Sequence, residues 1–135
     1  MAADPASPRQ FLLDYLDAYN RAAWDELDAF VTDDYVHHNN ELELSLANFK
    51  YGANWFRTAM PDFRIDVDEL IVEGDLAAAR FTATGTHEGS LFGEEVTGKP
   101  VRLRGQIFYR LRDGRIAADW EAMDEHALRQ QVGAA

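Results

Sequence analysis

One dipeptide constrains the fold of this chain more than any other feature. Asp113-Gly114 separates two β-prone runs, Val101 to Arg112 and Arg115 to Asp124. Asp-Gly in that setting is a strong hairpin signal, because both residues tolerate the positive φ angles of a tight turn. In the first run Leu103, Gly105, Ile107 and Tyr109 alternate with Arg102, Arg104, Gln106 and Arg110, so one face is expected inside and the other outside. The second run closes on Asp119-Trp120-Glu121-Ala122-Met123-Asp124. Carboxylates set among large apolar groups are where burial and neighbouring charge shift a pKa toward acid-base chemistry.

Upstream, the periodicity divides the chain in two. Ser7-Pro8 reads as an N-cap followed by proline at the first helical position, and predicts a helix to about Ala23 with Phe11, Leu12, Tyr15, Leu16 and Tyr19 on one stripe. Trp24 to Val31 predicts a second short helix, and Tyr35 to Asn40 a short extended segment. Ser45 is placed to cap a third helix that Pro61 would end. From Phe63 the apolar period becomes two: Phe63, Ile65 and Val67 alternate with charges until Leu70-Ile71-Val72 breaks the pattern as a bulge would, and Glu73-Gly74-Asp75 turns into a long strand from Leu76 to His87. A last helix is expected from about Glu125 to Gln131, ending at Gly133. Helices followed by long antiparallel strands define an α+β domain, with helices against one face of a curved sheet that wraps into a half-open cone.

Composition narrows the functions. At 135 residues, 47% of them hydrophobic, the chain suits one domain with a core and room for a pocket. The expected division is a short tail over residues 1–8 and a single domain over residues 9–133. A formal charge of −11 disfavours nucleic acid and anionic membrane surfaces as partners. With no cysteine there is no thiolate nucleophile or thiolate metal site. Residues Met1 to Gln10 hold no apolar leader-like core, and no apolar run approaches the roughly 20 residues of a membrane span, so a cytoplasmic location is expected.

Several short stretches, in their order along the chain, resemble a known family. They are Asp17-Ala18-Tyr19-Asn20, Pro61-Asp62-Phe63, Glu73-Gly74-Asp75, Gly85-Thr86-His87-Glu88-Gly89, Phe92-Gly93, Thr97-Gly98, Tyr109-Arg110, Asp113-Gly114-Arg115-Ile116 and Gln130-Gln131-Val132-Gly133. Together they are similar to the SnoaL-like polyketide cyclases of the NTF2-like superfamily, over residues 9 to 133. The resemblance implies an NTF2-like α+β cone with N-terminal helices on a strongly curved, mostly antiparallel sheet enclosing an apolar pocket. It also implies no metal or organic cofactor, assembly as a homodimer or homotetramer, and acid-base catalysed intramolecular aldol closure of a small apolar or aromatic carbonyl ligand. Hydrolysis or hydroxylation in the same pocket, and non-catalytic ligand binding, are the alternatives. The family's acid-base Asp falls at Glu121 and its assisting His at Ile107.

Aldol closure needs a carboxylate base and a donor for the developing oxyanion. Glu121 is the candidate base and His87 the candidate donor, with Tyr19 and Tyr15 as alternatives from the first helix. His37 and His38, adjacent on a strand, point to opposite faces and do not share a metal ion, so one is expected to line the pocket and the other to face water. Trp55, Phe56, Phe63, Phe81, Ile107, Trp120 and Met123 complete the expected lining, since such cavities are built from apolar and aromatic groups around few polar ones.

Overall fold

The computed structural model describes residues 7–134. Helix α1 spans Pro8–Asn20, a 3₁₀ helix spans Trp24–Phe30, and strands β1 (Val31–Asn39) and β2 (Leu42–Leu44) lead to helix α2 (Leu46–Ala59). Then come β3 (Arg64–Glu73), β4 (Leu76–Thr86), β5 (Pro100–Arg112), β6 (Arg115–Met123) and helix α3 (Glu125–Val132). The six strands form one open sheet in the order β2-β1-β6-β5-β4-β3. Every neighbouring pair is antiparallel except β1 with β6, which run parallel. The architecture is the expected α+β cone, with a mixed sheet.

Local chemistry explains the boundaries. The Ser7, Ser45 and Asp124 side chains each accept a backbone N–H in the first turn of α1, α2 and α3, satisfying donors that a helix start leaves open. Helix α1 stops at Asn20, short of the expected Ala23. Ala22 takes a φ of 56°, and the Arg57 guanidinium donates to the carbonyls of Tyr19 and Asn20 at 3.1 and 3.0 Å, filling acceptors the helix end exposes. Asn20 then clamps α1 to β3, donating to the Ile65 carbonyl and accepting from the Ile65 N–H, both at 2.8 Å. At the β5–β6 turn Asp113 and Gly114 have φ of 53° and 76°, the doubly positive pair that the hairpin signal requires.

The expected second short helix is present, as a 3₁₀ helix over Trp24–Phe30. One expectation changes. The supposed short extended segment is the end of a nine-residue strand that enters the sheet beside β6. Its partner β2 follows directly in the chain, but β6 lies far away in sequence, so local pattern carries no trace of that pairing.

The core fills the concave side. Leu12, Tyr15, Leu16 and Ala18 of α1 pack with Ala77, Ala79, Tyr109, Leu111 and Ile116 of the sheet, and a second cluster gathers Met60, Phe63, Phe81, Leu103, Leu128 and Val132. The curvature shows at Gly105, where an added Cβ would clash with Phe81 Cζ and lie 3.0 Å from the Ala122 carbonyl oxygen. The Phe81 ring therefore lies directly over the β5 backbone. Among the described residues no helix is long and apolar enough to cross a membrane.

Because both neighbours of Gly105 are buried or backbone, Gly105→Ala is expected to destabilise the domain by about 1–3 kcal/mol through overpacking. A urea titration checks this as a lowered midpoint with unchanged slope; an unshifted midpoint contradicts the close approach.

Candidate active site

Strand parity brings the site together. On β1, Tyr35 and His37 are two residues apart and face the core, while His38 faces outward, so the two histidines do separate to opposite faces. On β6 the pairing steps from Arg110↔Ala118 to Leu111↔Ile116, leaving Ala117 as a bulged residue. Ile116 and Asp119 therefore both turn inward although an odd number of positions separates them, and Glu121 and Met123 follow Asp119. The parallel pairing of β1 with β6 sets His37 beside Asp119 and Asn39 beside Glu121.

The result is a chain of polar contacts inside an apolar core. Asp119 is 1% exposed and His37 2%. The Tyr35 hydroxyl donates to Asp119 Oδ2 at 2.6 Å, and His37 Nδ1–H donates to Asp119 Oδ1 at 2.5 Å. The other ring nitrogen, Nε2, lies 3.5 Å from Glu121 Oε1. Behind the pair, His38 Nδ1–H donates to the Asp119 carbonyl at 2.9 Å.

Burial by itself would lower the His37 pKa, but the hydrogen bonds and charges of Asp119 and Glu121 outweigh it and raise His37 to about 9. The ring thus keeps its second proton at neutral pH, between the side chains of Asp119 and Glu121. Burial pushes the Asp119 carboxyl up, against the pull of His37 and Tyr35. For Tyr15, Tyr19 and Tyr109, burial first and the nearby carboxylates second raise the phenols far enough to keep them neutral donors. The Tyr15 and Tyr109 hydroxyls are buried without a hydrogen-bond partner.

Two small chambers open onto this cluster. The inner one, about 40 Å³, is lined by Tyr15, Tyr19, Phe81, Ile107, Tyr109, Asp119 and Glu121 among others. The outer one, about 80 Å³, is lined by Tyr19, His37, Asn39, Phe56, Phe63, Glu121 and Met123 among others. Tyr19, Phe49, Ile65 and Glu121 wall both. Each chamber is far below the roughly 300–1,000 Å³ of ordinary ligand pockets, and Phe49 and Ile65 are among the side chains that border both. A larger hollow of about 610 Å³ is an open trough across the outer sheet face around Ile71, Phe108 and Trp120, on the other side of the strands that carry Ile107 and Glu121, which also border it.

The expected site residues therefore sort themselves. Tyr15, Tyr19, His37, Phe56, Phe63, Phe81, Ile107, Met123 and Glu121 line the chambers, with the Glu121 side chain 15% exposed. Three do not. His87 sits at the far end of β4, where Nδ1 accepts from the Thr97 N–H at 3.3 Å and meets Thr97 Oγ1 at 2.9 Å; it ties the loop before β5 in place and lines neither chamber. Trp55 is 40% exposed on α2, edge-on to Phe56 and Phe92. Trp120 is 37% exposed on the outer face, stacked on His38 at 4.7 Å, because its parity opposes that of Asp119 and Glu121. The residues that sequence pattern did not single out are Tyr35 and the His37–Asp119 pairing. The signal was Tyr35-x-His37, a period-two pair, but no local pattern names its partner strand. Among the described residues no group of three His, Asp or Glu is arranged to hold a metal ion.

The raised pKa has a sign for stability. The folded state keeps the His37 proton up to about pH 9, whereas an unfolded histidine releases it near 6.5, so the contribution is complete below about pH 6.5 and is lost as pH rises through 9. Urea melts between pH 6 and 9.5 should show this decline in the wild type and a flatter profile in His37→Gln; parallel profiles would rule out a buried imidazolium.

Comparison with known proteins agrees with this architecture. A family model described as SnoaL-like polyketide cyclase matches residues 9–132. No curated protein matches the chain. Among solved structures, AclR from Streptomyces galilaeus, described as a candidate hydroxylase, is similar at a TM-score of 0.87 and 26% identity, covering 96% of this chain and 98% of its own. TsrD from Streptomyces laurentii is similar at 0.84 and 29% identity, covering 98% and 99%. IdmH from Streptomyces antibioticus, described as a candidate polyketide cyclase, shares the fold at 0.86 and 24% identity, covering 96% and 100%. With nearly its whole length matched, the chain belongs to the SnoaL-like polyketide cyclase family.

Proposed function

We propose that the chain is a cofactor-independent enzyme that moves protons on a small apolar or aromatic carbonyl ligand, through aldol-type ring closure or a related isomerisation. One observation carries this reading. Among the described residues Glu121 is the single carboxylate walling both chambers, so a ligand spanning them presents its carbon to one base.

The chemistry follows from that placement. Glu121 removes a proton from carbon beside a carbonyl, giving an enolate; the enolate carbon attacks a second carbonyl of the same molecule; Glu121 returns the proton to the new alkoxide. Tyr15 and Tyr19, neutral and buried, are hydroxyl donors within the same walls. The apolar surround of Phe49, Phe56, Phe63 and Phe81 excludes water, which strengthens each electrostatic contact inside.

Glu121→Gln keeps the shape and removes the base, so turnover should fall by about 100-fold or more while ligand-induced thermal stabilisation persists. A screen of aromatic polyketide esters, followed by product analysis for both proteins, makes the comparison. Turnover that survives the substitution removes Glu121 from the mechanism.

A second reading, hydrolysis or hydroxylation, is favoured by the similarity to AclR. Isotope labelling separates the three outcomes: cyclisation incorporates no external oxygen, hydrolysis incorporates ¹⁸O from solvent, and hydroxylation incorporates it from dioxygen. Label in the product would replace the cyclase reading.

A further inference from the structure

The geometry points to His37 as a second catalytic residue, whose Nε2–H donates to the carbonyl oxygen of the ligand while Glu121 takes the neighbouring C–H proton. The inference rests on the reading of Glu121 above and supplies the charged electrophile which that reading lacks.

The two ring nitrogens of His37 are unequally engaged. Nδ1 is committed: at 2.5 Å from Asp119 Oδ1 it makes a short charge-assisted bond, and the other Asp119 oxygen is held by Tyr35 at 2.6 Å, so the carboxylate cannot turn away. Nε2 is held more loosely. Its contact with Glu121 Oε1 is 3.5 Å long, well beyond the roughly 2.7–2.9 Å of a strong charge-assisted N–H···O bond. The Nε2–H can turn its hydrogen bond to a better-placed oxygen, and His37 is itself part of the outer chamber wall. The ring plane is fixed by Phe49, whose centroid lies 4.6 Å away.

Stability gives no reason for the arrangement. A buried ion pair recovers its desolvation cost only in part, and apolar replacements of similar volume are often neutral or stabilising. Two carboxylates around one imidazole inside a core cost more than a pair would. An imidazolium aimed into a chamber whose base is 3.5 Å away has a use in return, because it meets negative charge as that charge develops. The titratable groups around it are Asp119 and Glu121 from β6, Tyr35 from β1, Tyr15 and Tyr19 from α1, and Tyr109 from β5; α2 contributes the apolar Phe49.

The step balances without any further reagent. The ligand C–H bond breaks, its proton goes to Glu121, and its electron pair delocalises onto the carbonyl oxygen, where His37 Nε2–H hydrogen-bonds it without transferring its proton. The enolate carbon then forms a bond to the second carbonyl carbon, and the resulting alkoxide takes the proton back from Glu121. Glu121, His37 and Asp119 end in their starting states.

Proton abstraction can be read without the natural substrate. 2-Tetralone has an acidic C–H beside a carbonyl and an aromatic ring of suitable size, and its deuterium uptake in D₂O is followed by NMR. Wild-type protein should accelerate uptake above buffer, Glu121→Gln should return it to the buffer rate, and His37→Gln should slow it by about 100-fold. The wild-type rate should also fall above pH 9 as the imidazolium deprotonates, a limb absent from His37→Gln. In ¹⁵N-histidine-labelled wild type, the His37 Nε2 resonance should move on adding 2-tetralone. Exchange by a folded His37→Gln at the wild-type rate with an unchanged pH profile overturns the inference, and so does an Nε2 resonance that stays put at saturating ketone. Unimpaired exchange in Glu121→Gln, or wild-type exchange no faster than buffer, overturns the reading of Glu121 instead. The labelled wild type needs no substitution, so the nitrogen spectrum decides the role of His37 even where the variant does not fold.

Discussion

The parallel pairing of β1 with β6 is the contact on which the site depends. It joins a strand near the N-terminus to the last strand of the chain, sets His37 beside Asp119 and Asn39 beside Glu121, and brings the Tyr35 hydroxyl onto Asp119. Without that pairing the buried carboxylate would have no cation, and Asp119 could not remain in the core except by taking up a proton. The bulge at Ala117 is its necessary companion: it shifts the parity of β6 so that Ile116 seals the core at one end while Asp119, Glu121 and Met123 face the chambers at the other.

Given those two features, the electrostatics follow. A single imidazole lies between two carboxylates in a space walled by Phe49, Phe56, Phe63 and Phe81, and burial weakens its hold on the proton less than the carboxylates strengthen it. Three tyrosine hydroxyls stand around the same space as neutral donors. The side opposite Glu121 on β5 is Ile107, an apolar wall at the position where the family resemblance implies a histidine. The imidazole here comes instead from β1, across the other edge of β6. Acid-base chemistry asks for a donor near the base and is indifferent to which strand carries it.

Much of the scaffold was legible in the residues. The Asp113-Gly114 turn, the Ser45 cap, the alternation of β4 and β5 and the terminal Gly133 all depend on chemistry between near neighbours, and all appear where the pattern put them. Glu121 was legible as a candidate, but its orientation was not. Strict alternation along β6 would put Ile116 and Trp120 on one face and Glu121 on the other, whereas one extra residue in the strand divides them: Ile116 is buried and Trp120 lies outside. His87 shares the buried face of β4 as its spacing suggested, yet the curvature of the sheet carries it to a loop anchor away from both chambers.

The sequence by itself determined the three α-helices, the strands from β3 to β6, the turns, the caps and the presence of a carboxylate at the end of β6, because each of these is written in residues close together in the chain, and the order of its short stretches carried the family. Tertiary structure alone decided which histidine meets that carboxylate, which tryptophans stay outside, and how small the enclosed space is. Those depend on strand register and sheet curvature, which are sums over contacts between residues some eighty positions apart, as His37 and Asp119 are. No window of the sequence contains both members of that pair.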